Sequence, residues 1–314
     1  MSARRRILIT GVTGLLGAAF VRESLENFEV FGLARRPDAA TVEENLIPVD
    51  LRNEAAVAGA METVRPDVVI HAGAIASVDH CESAPALAQA VNVQGTKNLL
   101  NALRGHPCRL IHISTDSVFD GTKGHYTEDD KPAPLHVYGR TKLEAEEAVL
   151  AERADALVVR TVFYGWNALP KRSLGEWVLD RLRAGETVPG FDNLRFSPLY
   201  AGQVARLLKR LISMPVSGVL HLGSINGCSK YEFACLVATT FGFPAGRVIR
   251  ANWGKGSLAA ARPCDVTLAT TRATAVLERP LPSVAEGLGE FLAQEHLAER
   301  RAVGMGHQSE GARS

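Results

Sequence analysis

The 314-residue sequence predicts an α/β fold, a doubly wound parallel sheet with a smaller C-terminal lobe. Three observations predict it. Short apolar runs alternate with helical periodicity through the first half, a glycine-rich turn separates the first run from the first helical segment, and the runs are apolar throughout, as in strands covered on both faces.

The elements follow in order. Arg6 to Thr10 is apolar and ends at Gly11; Gly14 to about Asn27 has helical spacing; Glu29 to Ala34 is apolar again. The alternation returns at Val68 to Ile70, at Arg109 to Ile113 after a long helix expected from about Ala84 to Leu103, and at Ala156 to Arg160 after a helix starting near Tyr138. Beyond Thr161, Pro170, Gly185, Pro189-Gly190 and Pro198 break the pattern. Helices are expected at Ser173 to Arg183, Ala201 to Ile212, Lys230 to Phe241 and Ser283 to Gln294, with one more strand at Gly218 to Gly223. The expected division assigns residues 1–162 and about 196–223 to a dinucleotide-binding domain, about 163–195 and 224–297 to a substrate lobe, and 298–314 to a mobile tail.

Composition narrows the function. With 35 basic and 34 acidic residues the net charge is +1, so no overall field favours nucleic acid or an anionic membrane, and neither is an expected partner. Five widely spread cysteines without close pairs read as reduced thiols in a cytoplasmic protein, and no His or Cys spacing suits a metal. Arg4-Arg5-Arg6 is followed by too short an apolar run for a secretory signal or a membrane span.

Gly11, Gly14 and Gly17 follow a strand and open a helix, the context in which backbone can approach a pyrophosphate at a helix N-terminus. The spacing is G-x-x-G-x-x-G, and a tight turn with close helix packing is the alternative reading. Where a carboxylate would bind the ribose diol of NAD, the chain has Arg35 and Arg36. Guanidinium groups suit a 2′-phosphate, which favours NADP(H) over NAD(H); two solvated arginines opening a loop remain the other possibility. Asp50-Leu51 ends the next apolar stretch, where an adenine would lie.

Tyr138 and Lys142, four residues apart at a helix start, share a face. A neighbouring ammonium and the positive helix end would both lower the phenol pKa from about 10 towards the working range of a general acid. The hydroxyl pair Ser114-Thr115 at a strand end could hold a substrate carbonyl while Tyr138 protonates it.

These residues resemble the extended short-chain dehydrogenase/reductases, with their Rossmann sheet, and several strings resemble the dTDP-4-dehydrorhamnose reductase-like branch. The strings are Pro66 to Ala74, Val78 to Glu82, Val91 to Thr96, Ser114 to Gly121, Tyr126 to Asp129, Tyr138 to Glu146, Arg195 to Pro198, and Ala261-Arg262-Pro263 with Leu268. The resemblance implies Thr115, Tyr138 and Lys142 as the catalytic set. It implies Gly11, Thr13, Gly14, Leu15, Leu16, Gly17, Ala72, Gly73, Ala74, Asn92, Tyr138, Lys142 and Arg160 around the cofactor, and Val78, Thr115, Asp116, Ser117, Phe119, Tyr138, Phe163 and Arg195 around the sugar. Ser117 stands where this branch usually has tyrosine, and Phe163 where it often has tryptophan, which leaves the sugar open.

The implied activity is NADPH-dependent reduction of the 4-keto group of a nucleotide-linked, dTDP-type 4-keto-6-deoxyhexose, and a homodimer is a possible assembly. A 4,6-dehydratase would need an acid after Asp116, where Ser117 stands. A sugar-nucleotide 4-epimerase fits the trio but fits the later strings less well. An NADP-binding regulatory subunit of the methionine adenosyltransferase type resembles the same branch.

Overall fold

A computed structural model describes residues 4–35, 45–167, 171–254 and 260–310, with side chains through 297. Strands β1 (Arg6–Thr10), β2 (Glu29–Ala34), β3 (Leu46–Pro48), β4 (Val68–His71), β5 (Arg109–Thr115) and β6 (Leu157–Thr161) join Gly218–Leu222 in one seven-stranded sheet. Every pairing is parallel, and the order runs from edge strand Gly218–Leu222 through β6, β5, β4, β1 and β2 to β3.

Alternate strand residues supply two cores. Ile7, Ile9, Ile70, Ile111, Val159 and Leu220 pack under helices Leu15–Ser24 and Ala201–Leu211. Leu8, Val69, Leu110 and Val158 face helices Glu54–Val64, Gly95–Ala102 and Val137–Glu152. A third core, around Tyr164, Phe196, Phe233 and Phe291, holds the smaller lobe. Val118, Phe119 and Tyr126 reach into that core from the first half of the chain.

Two expected elements differ. The long helix after Ala84 is interrupted by a π-helical turn, Gln89–Gln94, between α-helical Pro85–Ala88 and Gly95–Ala102. The wider turn lets Asn92 reach sideways to the loop after β4, accepting from Ile75 N at 2.7 Å and donating to Ile75 O at 3.2 Å. The last helix is assigned from Val284 to Glu310, past the point where the sequence predicts a tail; side chains from 298 and residues 311–314 lie outside the described residues.

The parallel register aligns polar residues near the carboxyl ends of the strands. Thr10 pairs with His71 and His71 with His112, while Ser114, Arg160 and His221 form a second row. His71 and His112 are buried, as are His136 and His221. Burial is the first cause of depressed basicity in all four, with Lys142 adding to it at His71 and His112, Arg262 at His136 and Arg160 at His221. His71 and His221 fall to about 3 and His136 to about 4, and His112 falls well below 6.5.

An unfolded imidazole takes up a proton near pH 6.5 that its folded counterpart refuses, so this stability is complete above that pH and is lost as pH falls towards the folded values. Asp116, raised to about 6 chiefly by burial, acts in the opposite direction but is one group against four. Urea unfolding should therefore show lower stability at pH 5 than at pH 7, with a slope approaching about 1.4 kcal/mol per pH unit for each histidine. Equal unfolding free energies at the two pH values would contradict it.

Candidate active site

The turn after β1 is shaped by contacts that exclude side chains. Gly11 has a φ of +69°, and a Cβ there would lie 2.8 Å from Gly73 Cα; one on Gly17 would lie 2.5 Å from Gly11 O. Gly14 caps the following helix with no side-chain hydrogen bond, and its first turn carries no acidic residue. The first-turn N–H groups of Leu15, Leu16 and Gly17 are thus left for an anion, with half-buried Thr13 beside them. Leu16 itself is buried in the core and Leu15 packs on it, so these two offer backbone rather than side chain. Gly73 N donates to Thr10 Oγ1 at 2.9 Å, tying the half-buried loop Ala72-Gly73-Ala74 to β1.

Arg35 is exposed immediately after β2, and Arg36 lies outside the described residues. Asp50 follows β3 and is gripped by Arg52 at 2.6 to 3.1 Å, which, together with weaker attraction from Arg35, holds its carboxyl below the usual range. Arg52 was not singled out from the sequence, although its position two residues from Asp50 could have signalled the pair. Leu51 packs over Gly73 and Gly95, and its carbonyl accepts from Asn98 Nδ2 at 2.8 Å.

Helix Val137–Glu152 positions the proton chemistry. Its N-cap is buried His136, whose Nδ1 accepts from Gly139 N at 3.0 Å and whose ring stacks on Tyr138 at 6.1 Å. Tyr138 is half-buried, and burial pushes its phenol above 10 while a hydrogen bond with Thr115 opposes the rise. This corrects the lowered value expected from the sequence. Lys142 does not act on the phenol because its buried Nζ points to the sheet, donating to Ile113 O at 2.7 Å and to His112 Nε2 at 3.1 Å. Desolvation lowers Lys142 to about 8.

The next turn of the same helix is anchored by charge. Glu146 is buried and accepts from Arg160 Nη2 at 2.7 Å, from Arg160 Nε at 3.1 Å to each oxygen, and from Ser114 Oγ. Arg160 also stacks over Phe119 at 5.1 Å. Arg160, expected near the cofactor, is therefore buried and has its guanidinium engaged by Glu146. Phe119, expected at the sugar, has no exposed surface and stacks on Tyr126 at 4.1 Å. Asn92 Nδ2 donates to Thr141 Oγ1 at 3.0 Å, joining the loop after β4 to the helix of Tyr138.

A cavity of about 610 Å³ opens beside this helix, lined by Val78, Asp116, Ser117, His136, Arg195 and Lys230 among others. Asp116 and Ser117 directly follow Thr115, whose Oγ1 accepts from Ser117 N at 3.2 Å and donates to Asp116 Oδ1 at 3.2 Å. Of the expected sugar residues, Val78, Asp116, Ser117 and Arg195 line the cavity. Phe163 does not, because strand pairing with Leu199 turns it onto the sheet core and leaves neighbouring Val162 at the wall. His136, Trp177 and Lys230 are wall residues that sequence reasoning missed; none belongs to a string with a spacing signal. Among the described residues no group of three His, Cys, Asp or Glu could hold a metal ion.

Residues 5–297 match the family described as RmlD substrate binding domain. A probable low-salt glycan biosynthesis reductase of Haloferax volcanii is 35% identical over 238 residues, covering 74% of this chain and 79% of that one. The methionine adenosyltransferase 2 subunit beta of Xenopus laevis is 36% identical over 250 residues, covering 77% and 73%. The dTDP-4-dehydrorhamnose reductase of Bacillus anthracis, solved in complex with NADP, superposes with a TM-score of 0.83 at 25% identity, covering 93% of this chain and 99% of that one. The chain belongs to this family, within the dTDP-4-dehydrorhamnose reductase-like branch of the extended short-chain dehydrogenase/reductases, a class of NAD(P)-dependent oxidoreductases.

Removing Glu146 would leave the Arg160 guanidinium buried without its partner. Glu146→Ala should lower unfolding free energy by about 3–5 kcal/mol, measured by chemical denaturation. A loss below about 1 kcal/mol would place the pair among weak surface bridges.

Proposed function

We propose that this family member reduces the 4-keto group of a nucleotide-linked 4-keto-6-deoxyhexose, dTDP-linked, with NADPH in preference to NADH. The observation that carries the reading is the placing of the Tyr138 phenol near enough to Thr115, at the end of β5, for that hydroxyl to temper its pKa, beside a cavity of about 610 Å³ and across the strand ends from the glycine turn. That volume is within the range of small-molecule sites. The glycines fit the group, since a Cβ at Gly11 or Gly17 would strike the backbone of Gly73 or of the turn itself and spoil the tight strand-to-helix turn that a pyrophosphate needs.

When bound, the nicotinamide supplies a hydride to the sugar C4. Thr115 holds the carbonyl by turning its one hydroxyl hydrogen from Asp116 Oδ1 to the substrate oxygen, and Tyr138 gives the proton to that oxygen. Burial keeps that phenol protonated at neutral pH, so it is a ready acid towards the more basic alkoxide that forms on hydride addition. Lys142 spends two of its three N–H donors on Ile113 O and His112, leaving one for the cofactor ribose. Arg35 would meet a 2′-phosphate, with Arg36 as its sequence neighbour.

The identity to methionine adenosyltransferase 2 subunit beta supports a second reading, an NADP-binding subunit that regulates another enzyme. Turnover separates the two. A panel of nucleotide-keto-sugars should show NADPH oxidation with at least one, and tight cofactor binding without oxidation of any would favour the regulatory reading.

Tyr138→Phe should cut turnover by roughly 10²–10⁴-fold with cofactor affinity nearly intact. Near-normal turnover would remove Tyr138 from the chemistry. Because Lys142 is charged below about 8 and neutral above it, kcat and cofactor affinity should fall together as pH rises through that value. In direct titrations NADPH should bind more tightly than NADH, and Arg35→Ala should shrink the difference.

A further inference from the structure

Three cations stand in the cavity wall, and they are not equivalent. Arg195 lies 3.4 Å from Glu232 and 3.8 Å from Asp265. Arg262 lies 2.7 Å from Asp79 and also donates to Ala260 O at 3.2 Å. Lys230 has no such partner: its Nζ sits 3.1 Å from the centroid of the Phe196 ring, and the described residues offer it no hydrogen-bond acceptor.

Its backbone is held firmly. Lys230 N donates to Leu194 O at 2.9 Å, and the preceding Ser229 forms a reciprocal cap with Glu232, at 2.7 and 3.0 Å. The side chain is therefore presented to the cavity from a fixed root. Burial lowers its pKa to about 8 and Arg262 adds slightly, while Asp116 and Cys228 oppose the fall. An ammonium held over a ring, half-buried and with no acceptor bonded to it, is under-satisfied, a state that a ligand oxyanion would relieve. Asp116 attracts Lys230 but forms no ion pair with it, and its Oδ1 is turned to Ser117 Oγ at 3.1 Å and Thr115 Oγ1 at 3.2 Å.

We propose that Lys230 is a specificity-determining residue that takes a phosphate oxygen from the diphosphate of a nucleotide-linked substrate. This rests on the nucleotide-sugar reading of the cavity. Lys230 selects diphosphate-linked ligands over neutral sugars, because its three unspent donors match charged oxygens better than hydroxyls.

Calorimetric titration of dTDP, UDP and inorganic pyrophosphate into the unmodified protein, Lys230→Met and Lys230→Arg tests it without turnover. Diphosphate affinity should fall roughly 10- to 100-fold in Lys230→Met, as expected for loss of a charged hydrogen bond, and be largely retained in Lys230→Arg. With a turned-over keto-sugar, Lys230→Met should raise KM and spare kcat. Lys230→Gln serves if the Met variant does not fold. Equal diphosphate affinity in the unmodified and neutral variants, no diphosphate binding at all, or an effect confined to kcat would overturn the proposal. Lys230-dependent diphosphate binding without turnover of any keto-sugar would sink the reductase reading and leave this one standing.

Discussion

Two side chains one helical turn apart fasten helix Val137–Glu152 to the sheet, and the site's geometry depends on that polar clasp. Lys142 bonds to the end of β5, and Glu146 bonds to Ser114 of β5 and Arg160 of β6. Apolar packing alone tolerates sliding by fractions of an ångström, whereas buried charged hydrogen bonds lose much of their value when misaligned. The clasp therefore sets the axial position and rotation of the helix. Tyr138, one turn before Lys142, inherits its place opposite Thr115 from this docking and from the His136 cap.

The same arrangement explains why Tyr138 is a stronger base than the sequence suggests. A lysine four residues along would lower the phenol pKa if the two groups met, but Lys142 is drawn to a carbonyl and an imidazole inside the sheet. Helical spacing gives a shared face without giving the direction in which a long side chain turns. The phenol is then governed by desolvation. For the reduction proposed above this would be no handicap, because an acid must hold its proton until the alkoxide forms.

The sheet, the glycine turn and the helices of the second half were legible because strand and helix periodicity are local properties. That Asp116, Ser117 and Val78 would line one cavity was legible because each lies within a few residues of a motif. That Phe119 and Arg160 turn inward was not legible: the partners that bury them, Tyr126 and Glu146, belong to other elements, and neither type of residue reveals its direction from the strand. Phe163 failed through register, since one step along the chain exchanges cavity for core. The wall contributed by Trp177 and Lys230 arises wherever the smaller lobe folds back, which no local pattern encodes.

The sheet takes its last strand, Gly218–Leu222, from beyond the helix Leu174–Arg183 that begins the smaller lobe, while that lobe's core recruits Val118, Phe119 and Tyr126 from before it. Each half thus holds residues that complete the other. During synthesis the first 162 residues emerge without the edge strand beside β6 and with aromatic side chains still awaiting cover. A nascent chain of that length has an open strand edge, so the two halves are expected to consolidate together and late, after residue 222 has left the ribosome, rather than as independent folding units.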